Sequence, residues 1–135
     1  TLLICLFVSC KKVEIAPVKG LITEHAMVVS ARAEASEIGS DMLKKGGNAF
    51  DAMCATQLAL AVAYPFAGNI GGGGFMVYRK ANGDIGSIDF REKAPLAATK
   101  NMYLDEFGEV IPNKSILGAM AVGVPGTVAG VFKIF

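Results

Sequence analysis

The sequence lacks an excess of charge of either sign. Its 135 residues carry 13 Lys and Arg against 12 Asp and Glu, which gives a formal net charge of +1. Such a balance produces no strong field that would attract a polyanion, so nucleic acid is not an expected partner. Because 53% of the residues are hydrophobic and only 19% are charged, a disordered chain is also not expected. The length suits one domain.

Histidine and cysteine are scarce. The single histidine, His25, has no cysteine or histidine at ligand spacing, so neither a metal site nor a cofactor is predicted. Cys5 and Cys10 belong to an N-terminal segment described below, which leaves Cys54 without a partner and excludes a disulfide from the remainder. The neighbours of Cys54 are small or apolar, which favours a buried hydrophobe over a reactive thiol.

Long hydrophobic runs are also missing, but residues 2–8 form an uninterrupted apolar segment. It is too short to cross a membrane but suits the apolar part of a signal peptide. The tetrad Phe7-Val8-Ser9-Cys10 resembles a bacterial lipobox, with Phe7 in place of the usual leucine. We therefore expect residues 1–9 to end a lipoprotein signal peptide, Cys10 to be lipidated, and residues 10–26 to form a tether. An ordinary signal peptide with an incidental cysteine is the alternative.

These features predict an exported protein, a periplasmic or outer-membrane lipoprotein of a bacterium that contacts the membrane through its lipid only. The chain begins without methionine and ends within an apolar run, so we expect a fragment of a longer protein. The uncharged stretch at residues 52–78 is not a membrane span. Its helical part, about 13 residues or roughly 20 Å, is shorter than a hydrocarbon core of about 30 Å.

The patterning predicts both helices and strands. In chain order the expected elements are a β-prone run at 27–30, a helix at 33–45 ended by two glycines, a helix from Asn48 to Tyr64, and strands at 75–80 and 85–91 joined by an Asn82-Gly83 turn. Asn48 suits a helix N-cap, with Asp51 close to the positive end of the dipole. Residues 52–63 carry no charge, which predicts a helix buried on all sides. Beyond Pro95 we expect irregular chain with a turn near residues 105–108.

Four consecutive glycines, Gly71 to Gly74, form the most conspicuous local feature. Phosphate-binding loops place their glycines between a strand and a following helix, whereas here the predicted helix precedes and the strand follows. A phosphate site is therefore not predicted. The interpretations left are a crowded backbone turning against a buried helix, which we favour, and direct contact with a ligand.

Arg91 and Glu92 follow the second predicted strand, just before Pro95 fixes the exit of the chain. Strand ends that lead into loops commonly carry binding residues. An arginine presents a planar fork that matches a carboxylate, so Arg91 could bind an acidic small molecule. By chemistry alone, a solvated surface ion pair between Arg91 and Glu92 is the stronger interpretation.

Several separated motifs change that balance. They are Ala35-Ser36-Glu37-Ile38-Gly39, the run from Leu43 to Ala52, Gly68-Asn69-Ile70-Gly71-Gly72-Gly73-Gly74-Phe75-Met76, Asp89-Phe90-Arg91-Glu92-Lys93-Ala94-Pro95, and Val122-Gly123-Val124-Pro125-Gly126-Thr127-Val128-Ala129-Gly130. Together and in this order they resemble the γ-glutamyltranspeptidase (glutathione hydrolase) family. The resemblance covers residues 27–135, which correspond to the N-terminal part of the family's large subunit.

The resemblance implies an α/β (α+β) fold class, the αββα sandwich of the N-terminal nucleophile hydrolases, of which only the N-terminal portion is present. Such a precursor cleaves itself into large and small subunits, and the new N-terminal threonine of the small subunit is the nucleophile. The motif arginine binds the α-carboxylate of the γ-glutamyl group, a role that falls on Arg91. Glu92 would orient Arg91 or meet the substrate ammonium, unless it only balances charge.

The implied activity is that of a γ-glutamyltransferase and glutathione hydrolase, which transfers the γ-glutamyl group of glutathione to water or to an amino acid. None of the internal threonines at positions 23, 56, 99 and 127 matches the nucleophile motif, so no catalytic residue is expected here and the segment alone should be inactive. The alternatives are a related acylase acting on glutaryl or poly-γ-glutamate substrates, and a non-catalytic, degenerate lipoprotein fragment.

Overall fold

The computed structural model describes residues 20–135. Its elements are, in chain order, α1 (Ala33–Lys44), α2 (Ala49–Ala63), the short α3 (Pro65–Gly68), β1 (Phe75–Arg79), β2 (Ile85–Asp89), a 3-10 turn (Ala119–Ala121) and α4 (Thr127–Ile134). The predicted signal peptide, Cys10 and the tether up to residue 19 lie outside the described residues. The rest of the tether, residues 20–26, is exposed and contains no helix or strand.

The first two helices form the largest packed interface in the described part of the chain. Gly39 of α1 makes this close approach possible. A Cβ atom at Gly39 would collide with Oγ1 of Thr56 in α2 and would lie 2.9 Å from Cγ1 of Val28. The Thr56 hydroxyl is itself held in place, since it donates a hydrogen bond of 2.7 Å to the carbonyl oxygen of Ala52.

The predicted N-cap of α2 is confirmed. The Asn48 side chain accepts hydrogen bonds from the backbone N–H groups of Phe50, at 2.7 Å, and Asp51, at 3.2 Å. The Asp51 carboxylate in turn accepts the Asn48 backbone N–H at 2.8 Å, which completes a reciprocal capping box. The helix ends at Ala63, just before Pro65, as its sequence predicts.

The prediction that α2 is buried on all sides is wrong for the described residues. Ala52, Cys54 and Thr56 are buried, whereas Leu58 is 54% exposed and Val62 is 83% exposed. The helix packs against α1, α3 and α4, but these contacts leave Leu58 and Val62 uncovered within residues 20–135. No helix in this part of the chain is long and apolar enough to cross a membrane.

The two strands form the predicted antiparallel hairpin, with Phe75 opposite Asp89 and Arg79 opposite Ile85. The ladder continues by one pair beyond the strands, because Phe90 N–H donates to the carbonyl oxygen of Gly74 at 3.0 Å. Within the turn, Gly83 has a positive φ of 96° and Asn82 does not. Asn82 instead stabilises the turn by its side chain, which accepts the backbone N–H of Asp84 at 3.1 Å.

One face of the hairpin packs against the helices. The Tyr78 ring meets the Phe50 ring of α2 edge-on, with 5.5 Å between centroids. The Phe90 ring lies against Gly130 of α4, where a Cβ atom would collide with it. The opposite face, which includes Phe75 and Val77, is exposed. The described residues thus form a helical layer on one side of a β-layer, and the sites discussed below lie where β2 ends.

Two local predictions are wrong. Residues 27–30 form no strand, because no described strand lies beside them to supply hydrogen bonds, and Val28 packs on α1 instead. The segment expected to be irregular beyond Pro95 contains α4. The predicted turn near residues 105–108 is confirmed, and the Asp105 side chain accepts the backbone N–H of Phe107 at 2.9 Å.

Candidate functional site

Arg91 lies two residues beyond the last residue of β2. The Asp89 side chain accepts a hydrogen bond of 2.9 Å from the Arg91 backbone N–H. This side-chain-to-backbone bond spans two residues and forms a turn at the end of the strand. By the two-residue period of a strand, Asp89 and Arg91 lie on the same face of the hairpin. Phe75, which pairs with Asp89 in the register, lies on that face too.

The Arg91 guanidinium is held on two sides. Its Nε donates a hydrogen bond of 3.2 Å to Oε2 of Glu92, and its Cζ lies 5.6 Å from the centroid of the Phe75 ring. The side chain nevertheless remains 60% exposed. None of the described residues accepts a hydrogen bond from the two terminal nitrogens of Arg91, so the forked edge of the guanidinium has no partner within residues 20–135. That edge can donate two parallel hydrogen bonds to a carboxylate.

Glu92 is ionised beside this guanidinium. The pKa of the Glu92 carboxyl is lowered below its ordinary value. The main cause is a hydrogen bond from the backbone N–H of Glu92, and the hydrogen bond and charge of Arg91 add to it. The backbone on its far side is fixed by an isolated β-bridge, in which Lys93 N–H donates to Val124 O at 3.1 Å and Val124 N–H donates to Lys93 O at 2.8 Å. Sequence reasoning identified Arg91 and Glu92 together, and the structure places them in contact.

The glycine run packs directly against these residues. A Cβ atom at Gly73 would lie 2.6 Å from the Phe90 carbonyl oxygen, 2.7 Å from Arg91 Cα and 2.8 Å from Glu92 N. The expectation of a crowded backbone is therefore right, but its partner is the end of β2 and not a buried helix. Gly68, which precedes the run, does crowd α2: its Cβ would lie 2.8 Å from Leu60 Cβ.

A third segment closes the same junction from the other side. The carbonyl oxygen of Gly72 accepts hydrogen bonds from the N–H groups of Gly126, at 2.9 Å, and Thr127, at 3.1 Å. A Cβ atom at Gly126 would collide with the carbonyl oxygen of Phe90. The glycine run, the end of β2 and the start of α4 therefore meet through backbone contacts.

An open cleft of about 260 Å³ lies beside this junction, between the end of β2 and α4. Residues that line it include Asp89, Arg91, Lys93, Pro125, Ala129 and Lys133. With three cationic residues against one carboxylate, the cleft suits an anionic group. Among residues 20–135 no group of three His, Cys, Asp or Glu side chains is arranged to bind a metal ion.

The remaining residues that sequence reasoning weighed have structural positions. Thr56 and Thr127 are buried. Cys54 is a free, buried thiol whose pKa is raised by burial, and then by the charge of Asp51. Its interpretation as a small core residue is confirmed. Phe75 was not singled out from the sequence; the hairpin register places it opposite Asp89, two residues before Arg91.

Comparison with known proteins identifies the family. The profile described as Gamma-glutamyltranspeptidase matches residues 35–135, and so includes every segment of the junction. The chain belongs to the γ-glutamyltranspeptidase family. It is 61% identical to a glutathione hydrolase proenzyme of Pseudomonas sp. (strain A14) over 107 residues. This alignment covers 79% of this chain and 19% of that protein.

Solved structures confirm the fold class. The crystal structure of Helicobacter pylori γ-glutamyltranspeptidase superposes with a TM-score of 0.79 at 54% identity, over 87% of this chain and 33% of that one. The γ-glutamyltranspeptidase from Pseudomonas nitroreducens, complexed with L-DON, gives a TM-score of 0.77 at 50% identity, over 84% and 33%. The described residues are thus an α+β portion of the N-terminal nucleophile hydrolase fold. The chain spans about a fifth of the curated relative and a third of the solved chains.

Proposed function

We propose that the protein containing this chain is a γ-glutamyltransferase and glutathione hydrolase, in which Arg91 binds the α-carboxylate of the γ-glutamyl group. Family membership supports the reaction class. The observation that carries the role of Arg91 is its forked edge, which has no hydrogen-bond partner among the described residues while Nε is bound to Glu92 and the Phe75 ring lies close to Cζ. A carboxylate that approaches this edge meets two parallel N–H donors, the geometry in which arginine binds carboxylates most strongly.

Glu92 orients the guanidinium in this proposal. Its carboxylate accepts from Nε, which leaves the terminal nitrogens for the substrate and fixes the rotation of the fork. Because Glu92 is already paired with a cation, its interaction with Arg91 explains its position without a second role on the substrate ammonium.

The chemistry itself would take place on a threonine of the small subunit, which the same precursor supplies. Its hydroxyl oxygen attacks the γ-glutamyl carbonyl carbon, and its own α-amine accepts the hydroxyl proton. That proton passes to the departing amine as the amide C–N bond breaks, leaving an ester on the enzyme. Water or the amino group of an acceptor then cleaves the ester and restores the threonine. The present chain contributes binding to this reaction, through Arg91.

Substitution of Arg91 in the full-length protein tests the proposal. Arg91→Ala removes the fork, and Arg91→Lys replaces it with a single point charge. Both should therefore raise the KM for a γ-glutamyl anilide, which corresponds to a loss of about 1.5 to 3 kcal/mol of substrate binding free energy. Arg79→Ala is the matched control, because Arg79 is another exposed cation of the hairpin, at the far end of β1. An Arg91→Ala enzyme with unchanged KM would remove the assignment.

The same protein separates the rival activities. A γ-glutamyl anilide and a glutaryl anilide both end in a carboxylate and differ only in the α-amino group, which the glutaryl chain lacks. A γ-glutamyltransferase should strongly prefer the first, and a glutaryl acylase the second. A full-length protein that cleaves neither would favour a non-catalytic lipoprotein.

We further propose that the protein is exported and anchored through lipidated Cys10, because Phe7-Val8-Ser9-Cys10 resembles a lipobox. Labelled palmitate should be incorporated into the full-length protein in a bacterial host, and Cys10→Ser should abolish the label and release the protein from membranes. Cys5→Ser is the matched control, since Cys5 lies within the proposed signal peptide. Equal labelling of the Cys10→Ser protein would refute the anchor.

A further inference from the structure

We propose that Phe75 is a positioning residue for substrate binding: its ring sets the plane of the Arg91 guanidinium. The inference rests on the proposed role of Arg91 and assigns the carboxylate site a second supporting side chain. It concerns a residue that touches Arg91 and not the reacting atoms.

The register of the hairpin places the ring there. Phe75 begins β1 directly opposite Asp89, and Arg91 follows Asp89 by two residues on the same face. The Arg91 Cζ lies 5.6 Å from the ring centroid, within the range of about 6 Å in which a cation is attracted to an aromatic face. Backbone pairing thus fixes Phe75 opposite Asp89, and the Arg91 side chain, two residues further along, lies against the ring.

The ring and Glu92 restrict different motions of the guanidinium. An aromatic face attracts the flat side of an arginine, which limits tilting of its plane. The hydrogen bond from Nε to Glu92 limits rotation within that plane. With the side chain 60% exposed, these are the two contacts that the described residues provide to the head group. Loss of either contact should leave the charge of Arg91 in place but allow the forked edge to adopt several orientations.

A simple hydrophobic role for Phe75 makes a different prediction. Phe75 is 65% exposed and shares its face with Val77, which is 83% exposed. If the ring served only to cover apolar surface, truncation of Val77 should have a similar effect on the enzyme. If it positions Arg91, only the substitution at position 75 should weaken carboxylate binding.

The experiment is a double-mutant cycle in the full-length enzyme, with kcat and KM measured on a γ-glutamyl anilide and unfolding midpoints recorded for every variant. Phe75→Leu should raise KM about two- to fivefold with little change in kcat, and Phe75→Tyr, which keeps the aromatic face, should restore the KM. Val77→Ala should leave KM unchanged. In the Arg91→Ala background, Phe75→Leu should cause no further rise.

The outcomes separate the two proposals. If Phe75→Leu lowers kcat/KM equally with and without Arg91, the residue has only a structural role and the inference is wrong. An unchanged KM for Phe75→Leu, while Arg91→Ala raises KM, also overturns the inference and leaves the proposed function intact. An unchanged KM for Arg91→Ala overturns the proposed role of Arg91, and the inference with it.

Discussion

Gly73 offers the sharpest test of how the candidate site is held. Replacing its hydrogen by a methyl group would place a carbon 2.6 Å from the Phe90 carbonyl oxygen, 2.7 Å from Arg91 Cα and 2.8 Å from Glu92 N. Ordinary contacts begin at about 3.5 Å, so these atoms would have to retreat by roughly 0.7 to 0.9 Å. All three belong to the backbone, and no flexible side chain can move aside in their place.

The expected cost of Gly73→Ala has two parts. Overpacking of this kind typically lowers the free energy of unfolding by about 1 to 3 kcal/mol. Because the displaced backbone carries Arg91, the carboxylate-binding fork should move with it, and a misplacement near 1 Å can reduce activity by about a hundredfold. We therefore expect Gly73→Ala to lower kcat/KM for a γ-glutamyl anilide by about ten- to a hundredfold in the full-length enzyme.

The neighbouring residue supplies the control. A Cβ atom at Gly72 would have its nearest contact at 3.5 Å, with Oε1 of Glu92, which is an ordinary separation. Gly72→Ala should therefore remain close to the wild type in kcat/KM and in its denaturant unfolding midpoint. If Gly73→Ala and Gly72→Ala proved indistinguishable in both measurements, the backbone crowding described here would not constrain the site.

Three further predictions follow from single contacts. Asn48→Ala removes the N-cap of α2 and should lower the unfolding free energy by about 1 kcal/mol, measured in denaturant against Asn101→Ala, since Asn101 is exposed and its side chain makes no hydrogen bond with the described residues. Cys54, buried and with a raised pKa, should react with a thiol reagent at least about tenfold more slowly in the native protein than after unfolding, as followed on its peptide by mass spectrometry; equal rates would contradict its burial. Glu92→Gln should raise the KM for a γ-glutamyl anilide about two- to fivefold at pH 7. Because the backbone and Arg91 lower the pKa of the Glu92 carboxyl, the ionised form is favoured in the fold, so the effect of Glu92→Gln should be present at neutral pH and lost only in acid, below the range in which an ordinary glutamate titrates.

The parts of the fold that the sequence predicts well are those decided by neighbouring residues. The capping box at Asn48 involves residues no more than three positions apart, and the Asn82-Gly83 turn joins strands that are adjacent in the chain. Residues 27–30 illustrate the limit, because a β-prone run becomes a strand only when another strand lies beside it. The helix α4 was missed although Val128, Val131, Phe132 and Phe135 have helical spacing, since the glycines around them dominate the local composition.

The candidate site divides in the same way. Arg91 and Glu92 are adjacent in sequence and belong to a recognisable motif, so they could be named in advance. The contact of Arg91 with Phe75 spans the hairpin and required its register. The contact of Gly73 with the end of β2 required the three-dimensional path of the chain, because composition alone reports that glycines are present and not what they allow to approach.

The separation between a fixed backbone and an exposed head group explains why the glycines and the arginine belong to one site. Gly73 and Gly126 admit the end of β2 so closely that Arg91 Cα has little freedom, although the arginine side chain is mostly in solvent. A binding residue needs both an exposed head group and a fixed backbone, because the ligand must reach the head group and the head group must keep its position relative to the ligand. Side chains packed around Arg91 could also have fixed it, but they would have covered the fork. Packing by bare backbone restrains the Cα position and leaves the guanidinium open.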